Sequence, residues 1–227
     1  VGTWRDGWAP HSDYIQTADI QCPAGVSFTP IGTTGDRFTG SYDGRGYVIR
    51  DLFIDMPDGW DVGLFGEVED GAVITNVTLE DISITAEDNI GGLVGGLYYG
   101  VVVIENCNVS GTISGEDYCI GGLIGYAESA TITNCHADVE IVGEILCGVG
   151  GLIGHADECT VTSCTARGDI TYTDEYGGGL IGYCYGSTIT DCHAHGDVTI
   201  DPAAQYQEGS NGGLVGYLCA ASAFNCS

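Results

Sequence analysis

Gly121-Gly122-Leu123-Ile124-Gly125 is one of six copies of a short apolar phrase in this chain of 227 residues. The other five are Val62-Gly63-Leu64-Phe65-Gly66, Gly91-Gly92-Leu93-Val94-Gly95, Gly150-Gly151-Leu152-Ile153-Gly154, Gly178-Gly179-Leu180-Ile181-Gly182 and Gly212-Gly213-Leu214-Val215-Gly216. Successive leucines are separated by 29, 30, 29, 28 and 34 residues. Such a period is typical of stacked-repeat proteins, in which each unit buries its apolar face against its neighbours. The repeat therefore predicts one elongated domain.

A second phrase follows each leucine, as in Ile132-Thr133-Asn134-Cys135. Apolar and polar residues alternate there with a period of two, and β-branched residues dominate, which indicates strands rather than helices. We therefore predict an all-β chain that folds as a β-solenoid of about six coils, with a repeat of about 29 residues and an irregular N-terminal segment. The asparagine suits a bend in the left-handed backbone region, and the paired glycines suit a corner where backbones approach closely.

The phrase itself leaves one question open, because it places two apolar residues side by side. In a flat strand, Leu123 and Ile124 would point to opposite faces, and the outward set would form an apolar stripe along the rod. Alternatively, a kink at the glycines turns both residues into the core.

Two segments are expected along the chain. Residues 1–60 form a cap-like or assembly segment with a degenerate first coil, and residues 61–227 carry the repeats. The last coil is expected to be unfinished after Cys226, so that its unpaired strand edge invites strand addition from another molecule. This predicts a homopolymer that grows through open β-edges.

The charge is strongly acidic. The chain has 32 acidic and five basic residues, no lysine, and a formal net charge of −27. Such a field repels phosphate backbones and anionic lipids, so we expect no nucleic-acid partner. No apolar run approaches the ~20 residues that span a bilayer, so we expect no membrane insertion. Since the chain begins with Val1 rather than methionine, we also expect that a leader has been removed.

Eleven cysteines without any C-x-x-C spacing favour an oxidising, extracellular setting over metal binding. Three outcomes stay open: disulfides within the rod, disulfides between subunits, and reduced cysteines that act as small core residues. The cross-link candidates comprise a ladder after the asparagine position, a group that flanks the glycine phrase, and one separate residue: Cys107, Cys135, Cys164, Cys192 and Cys226; Cys119, Cys147, Cys159, Cys184 and Cys219; and Cys22.

Other candidate sites are weaker. His136, His193 and His195 are expected to be solvated, because adjacent residues of a strand face opposite sides and so cannot share a zinc ion with the ladder cysteines. Three sequons, at Asn76, Asn108 and Asn225, are candidate glycosylation sites. Acidic pairs recur at similar points in successive coils, namely Glu116-Asp117, Asp157-Glu158 and Asp174-Glu175. Two interpretations of these turns stay open: they bind calcium, or their charges are simply solvated. No other metal or cofactor is assigned.

These phrases, with the lead-in Phe38-Thr39-Gly40-Ser41-Tyr42-Asp43-Gly44-Arg45-Gly46, resemble the GLUG-motif β-solenoid repeats of bacterial and archaeal cell-surface proteins. The resemblance covers roughly residues 28–226 and implies a β-solenoid at the cell surface, without implying one activity. The combination of these repeats with high cysteine content, high acidity, no lysine and an unfinished last coil resembles the sheath proteins of filamentous methanogenic archaea. That likeness implies a tubular, disulfide-linked, amyloid-like casing.

We therefore predict an extracellular structural protein of a cell surface, sheath or wall, which self-assembles by β-edge stacking and is reinforced by disulfides. The alternative is a cell-surface adhesin, a repeat stalk with an aromatic or polar binding stripe. No nucleophile elbow, zinc-protease motif or phosphate loop is present, so we expect no enzymatic activity.

Overall fold

A computed structural model describes residues 9–144, 147–173, 175–201 and 210–227. This part of the chain forms 28 β-strands and no α-helix, and so contains no helix that could span a membrane. The strands are β1 Tyr14–Ile15, β2 Ile20–Gln21, β3 Ser41–Asp43, β4 Val48–Arg50, β5 Phe53–Val62, β6 Phe65–Glu69, β7 Val73–Thr75, β8 Thr78–Gly91, β9 Val94–Tyr98, β10 Val103–Glu105, β11 Asn108–Gly115, β12 Cys119–Gly121, β13 Ile124–Glu128, β14 Thr131–Thr133, β15 His136–Gly143, β16 Gly148–Gly150, β17 Ile153–Asp157, β18 Thr160–Thr162, β19 Thr165–Ala166, β20 Ile170–Tyr172, β21 Tyr176–Gly178, β22 Ile181–Tyr185, β23 Thr188–Thr190, β24 His193–Ala194, β25 Val198–Ile200, β26 Ser210–Gly212, β27 Val215–Cys219 and β28 Ser222–Phe224.

The strands stack into three parallel sheets, and the chain contributes strands to each of them in succession. The first sheet has eight strands in the order β1-β3-β7-β10-β14-β18-β23-β28, and the third has six in the order β27-β22-β17-β13-β9-β6. The second sheet has fourteen strands, because a long strand such as β8 pairs with two successive strands of the next coil, β11 and β12. Each coil pairs with the next about 29 residues on, as in Ile104↔Ile132 and Ile132↔Val161. The predicted all-β solenoid is confirmed.

Alternation along each strand builds the core. In β15 the side chains of Ala137, Val139 and Ile141 are buried, and those between them are exposed. Inward residues of successive coils lie on one another and form a continuous column of aliphatic side chains along the rod.

The predicted bend is also confirmed. Residues at the asparagine position have positive φ in six coils: Asn76, Asn106, Asn134, Ser163, Asp191 and Asn225. Their amides also bond along the rod, since Asn106 Nδ2 donates to Asn76 Oδ1 at 3.3 Å and Asn134 Nδ2 to Asn106 Oδ1 at 2.6 Å.

The glycine phrase forms a corner that buries both of its apolar residues. Leu123 and Ile124 are each fully buried, so the kinked alternative is correct and the phrase forms no outward apolar stripe. The corner is too tight for a side chain. A Cβ on Gly121 would lie 2.0 Å from the Ile124 carbonyl oxygen, and one on Gly151 would lie 2.3 Å from the Gly179 oxygen of the next coil.

The N-terminal segment continues the same solenoid. Strands β1 and β3 add two rungs to the first sheet, with Tyr14 paired to Tyr42 and Tyr42 to Ile74. Strand β5 runs through the expected boundary between residues 60 and 61. Residues 1–8 of this segment lie outside the described residues.

Candidate functional site

A column of aromatic side chains runs along the outer face of the third sheet. Its members are Tyr98, Tyr126, His155, Tyr183 and Tyr217, and we call it the aromatic column. The ring centroids of successive members lie 5.4, 5.0, 4.5 and 4.9 Å apart. Because each ring lies against the next, the members of the column cover one another's ring faces.

Strand register places these rings. The last glycine of the phrase faces inward, and the residue after it therefore points out of the rod. Parallel pairing then aligns Tyr126 with His155, His155 with Tyr183, and Tyr183 with Tyr217. Tyr126 pairs with Gly96 in the preceding coil, and Tyr98 supplies the ring there instead.

A charged network closes one end of the column. The Arg37 guanidinium lies 5.8 Å from the Tyr98 ring centroid, and its Nε donates to the Glu67 carboxylate at 2.6 Å. The Tyr98 hydroxyl donates to Asp61 Oδ1 at 2.6 Å. Burial raises the pKa of Asp61. It also raises the pKa of the nearby Asp88 to about 6, and the Oδ1 atom of Asp88 has no hydrogen-bond partner.

The column passes a cluster of two cysteines and a histidine. Cys147 Sγ lies 3.3 Å from His155 Nδ1, and the two sulfurs and one nitrogen of Cys119, Cys147 and His155 all lie within 4.8 Å of one another. Cys119 is buried, whereas Cys147 and His155 are half-buried. Among the described residues this is the one group of three or more potential metal ligands. We call these three residues the Cys-His cluster.

The two thiols of the cluster have shifted pKa values. A hydrogen bond from Cys119, together with one from His155, lowers the pKa of Cys147 to about 5. The same bond to Cys147, with burial, raises the pKa of Cys119 well above its usual range. Cys147 is therefore the more acidic of the two thiols, and it lies beside the His155 imidazole.

The predicted ladder cysteines do form a column. Cys107, Cys135, Cys164 and Cys192 are fully buried, and Cys226 is half-buried. The Cys135 amide donates to Cys164 Sγ at 3.4 Å, and the Cys164 amide to Cys192 Sγ at the same distance. Hydrogen bonding to Cys135, with burial, raises the pKa of Cys164 to about 12, so this thiol stays protonated.

The other cysteines are dispersed. Cys159 and Cys184 are buried in the core, and Cys22 and Cys219 are half-buried near opposite ends of the rod. All eleven cysteines are described, and all are free thiols in the structure. Disulfide formation stays a prediction.

The remaining predicted sites are scattered. His136 is exposed beside buried Cys135, and His193 Nδ1 lies 2.7 Å from Ser227 Oγ. At the sequons, Asn108 and Asn225 are exposed, while the Asn76 amide donates to Asp43. The acidic turns Glu116-Asp117 and Asp157-Glu158 contribute no cluster of three ligands, and Asp174 lies outside the described residues.

Sequence reasoning missed the aromatic column and the part played by His155. A signal was available, because the residue directly after the glycine phrase is Tyr126, His155, Tyr183 or Tyr217 in four coils. The pairing of Cys119 with Cys147 was harder to see, since they precede their phrases by different distances.

The GLUG motif matches residues 87–114, 116–142, 146–171 and 173–199, so four successive repeats are GLUG repeats. Halomucin from Haloquadratum walsbyi is 38% identical over 143 residues, which are 58% of this chain and 2% of halomucin. A protein from Evansella cellulosilytica, provisionally named a Gly-rich membrane protein, is 34% identical over 105 residues, which are 44% of this chain and 12% of that protein. The chain thus spans a small fraction of the length of these relatives.

Solved structures share the fold. A Bacteroides ovatus protein, provisionally named an immunoglobulin A1 protease, has a TM-score of 0.75 at 20% identity, over 96% of this chain and 69% of that one. Another structure, named IgA1 protease, has a TM-score of 0.66 at 19% identity, over 94% and 20% of the two chains. At these identities the likeness shows the β-solenoid fold alone.

Proposed function

We propose that this chain, a β-solenoid that carries four GLUG repeats, is a non-catalytic structural segment of an extracellular cell-surface protein, and that it assembles end to end into a sheath or wall. The names of two relatives, a halomucin and a Gly-rich membrane protein, support a location at the cell surface. The acidic composition and the regular stacking of the coils support a structural role.

The observation that supports assembly is the end face of the stack of coils, which is the side of the last described coil that no other described coil covers. Leu218 lies in register with Cys184 of the preceding coil, yet Cys184 is fully buried and Leu218 is 49% exposed. Likewise Ala223 is exposed, whereas its partner Ile189 is buried. This face therefore presents core positions that every internal coil covers with the next coil.

Gly213 is uncovered in the same way. The matching glycine Gly179 has the Gly213 carbonyl oxygen 2.3 Å from its ideal Cβ position, whereas Gly213 has no atom within 4 Å. A further β-coil on this face would occupy that space. We propose that a second copy of the chain supplies it, in a head-to-tail contact that repeats into a filament.

Disulfides would reinforce such a contact. Cys22 lies in the first described coil and Cys219 and Cys226 in the last, and all three are half-buried. Joining two of these thiols between copies releases two protons and passes two electrons to an oxidant such as molecular oxygen.

The experiment is electron microscopy and sedimentation of the purified chain, with and without a thiol reductant. We expect filaments that are lost in Leu218→Ser and kept in Val142→Ser, because Leu218 lies on the end face and Val142, 50% exposed, lies on the outer side of β15. Reductant should make the filaments sensitive to detergent. Dispersed rods under every condition would overturn the proposal.

The second candidate is a binding module, and the aromatic column is the observation that favours it. A row of hydroxyl groups and ring edges could bind a polysaccharide along the rod. A monomeric rod that binds purified cell-wall polysaccharide, and loses that binding when Tyr126 and Tyr183 are changed to alanine, would place this candidate first.

A further inference from the structure

We propose that Cys119, Cys147 and His155 form a Zn²⁺ site that ties two neighbouring coils together and leaves one ligand position open to solvent. The site is independent of the proposed assembly, because it lies within one chain and away from the exposed end face.

The donor atoms already lie close to the positions that zinc needs. With Zn–S and Zn–N bonds of about 2.3 and 2.0 Å, tetrahedral ligands are separated by about 3.6 Å. The Cys147 sulfur and His155 Nδ1 are 3.3 Å apart, and no donor pair of the cluster exceeds 4.8 Å. Small side-chain rotations therefore suffice to close the cluster around an ion.

Strand pairing brings the ligands together from two coils. Cys119 begins β12 and pairs with Gly148 at the start of β16, so Cys147 lies just before its partner strand. The Cys147 amide donates to the Tyr118 carbonyl at 3.2 Å, which holds this register. His155 projects from β17 in the third sheet. Backbone hydrogen bonding thus positions ligands that are distant along the sequence.

Two departures from the repeat meet at this point. In the aromatic column His155 is the imidazole among tyrosines, with Tyr126 and Tyr183 in the adjoining coils. At the Cys119 position, register places Gly148 in the following coil; in the preceding coil Ile120 pairs with Ile90, and the residue before Ile90 is Asn89. The residues that the neighbouring coils use at these positions would not supply these ligands. A local site therefore requires departures from the repeat at positions that lie close together in space.

The ligand chemistry selects the metal. Two sulfurs and an imidazole suit Zn²⁺ and disfavour Ca²⁺ and Mg²⁺, which take oxygen ligands. Cys119 is buried, whereas Cys147 and His155 are half-buried, so an ion would have solvent access on one side. Two cysteines, one histidine and an open position form a known class of zinc sphere.

The test uses the full chain, reduced, freed of metal with a chelator and kept anaerobic. Co²⁺ is titrated as a spectroscopic probe, and Zn²⁺ is then added to displace it. We expect one Co²⁺ per chain, with thiolate charge-transfer and tetrahedral bands, and a melting temperature that rises with Zn²⁺. The absence of these bands from the folded, reduced chain would overturn the proposal.

Variants taken from the repeat itself keep the fold intact. His155→Tyr places in the column the residue that both neighbouring coils use, and should weaken metal binding at least 100-fold while the rod stays folded. Cys147→Ser should do the same, whereas His136→Gln, at an exposed histidine beside buried Cys135, should bind as the unchanged chain does. Unaltered bands in Cys147→Ser would refute the site.

A disulfide is the competing use of the same cysteines. Peptide mass mapping of chain isolated without reductant identifies it. A Cys119–Cys147 bond, together with a reduced chain that binds no Co²⁺, would replace the zinc site with a redox pair. A reduced pair that binds Co²⁺ supports the proposal.

Discussion

Individual glycines decide whether the coils can stack. Gly151 and Gly213 occupy the same place in the phrase, but an added Cβ would lie 2.3 Å from a backbone oxygen at Gly151 and would meet nothing within 4 Å at Gly213. Gly151→Ala should therefore lower the free energy of unfolding by about 2–3 kcal/mol, because backbone atoms of the next coil must move. Gly213→Ala should leave it nearly unchanged. Urea unfolding of the two variants at low protein concentration measures the difference, and equal losses would contradict the close-packing argument.

A buried carboxyl makes stability depend on pH. Burial, and then the charges of Asp61, Asp117 and Glu87, raise the pKa of Asp88 from 3.8 to about 6, and Cys119 also faces it. A raised folded-state pKa means that Asp88 contributes stability below about pH 4, and that this contribution is lost as the pH rises through 6. Asp88→Asn should thus be more stable than the unchanged chain at pH 7, by about 1–2 kcal/mol.

The measurement is thermal or urea unfolding of both chains from pH 4 to pH 7. The gap between them should widen across that interval. Asp138→Asn serves as the control, since Asp138 lies on the exposed side of β15 and its replacement should not produce the same widening. A constant gap for Asp88→Asn would show that its carboxyl does not titrate in this range.

At the scale of the element, the asparagine bends link the coils. Asn134 has a φ of 53° and donates to Asn106 Oδ1 at 2.6 Å. Asn134→Ala loses both the tolerance for left-handed backbone and the hydrogen bond, and should lower the free energy of unfolding by about 2 kcal/mol. Asn134→Gly keeps the backbone freedom and loses only the bond, so its loss should be about half as large. Denaturant unfolding measures the loss in both variants. An equal loss of unfolding free energy in Asn134→Gly and Asn134→Ala would contradict this separation of the backbone effect from the hydrogen bond.

The same elements show what a sequence reader can predict. Period-two alternation and the 29-residue repeat give the strands, their parallel stacking and the inward residues, because each depends on local pattern repeated many times. The sequence could not decide whether the glycine phrase forms a corner, since Leu123 and Ile124 are both buried only when the chain turns between them.

The Cys-His cluster lay beyond such reasoning for a different reason. Cys119 stands two residues before the first glycine of its phrase and Cys147 three residues before, so aligned repeats do not place them side by side. Strand register does so, by pairing Cys119 with Gly148. His155 belongs to another sheet, and its approach to Cys147 depends on how the coil closes.

At the scale of the whole molecule, charge opposes the proposed end-to-end contact. A net charge of −27 makes any two copies repel, while the exposed face of the last described coil offers apolar side chains for contact. Four of the five arginines lie in the first 50 residues, which weakens the repulsion when the head of one rod meets the tail of another. The balance between these forces should therefore move with salt.

Raising the salt concentration from about 0.01 to about 1 M shortens the Debye length from about 30 to about 3 Å. Screening removes the repulsion but leaves backbone pairing and apolar burial, so the average assembly length should increase with salt. Sedimentation velocity at fixed protein concentration measures it. Gly213→Ala is the matched control, because its added methyl group occupies the space of the incoming coil without disturbing the single chain, and it should sediment as a monomer at every salt concentration. Assemblies that dissociate as salt is added would show that ion pairs, rather than β-edges, hold the copies together.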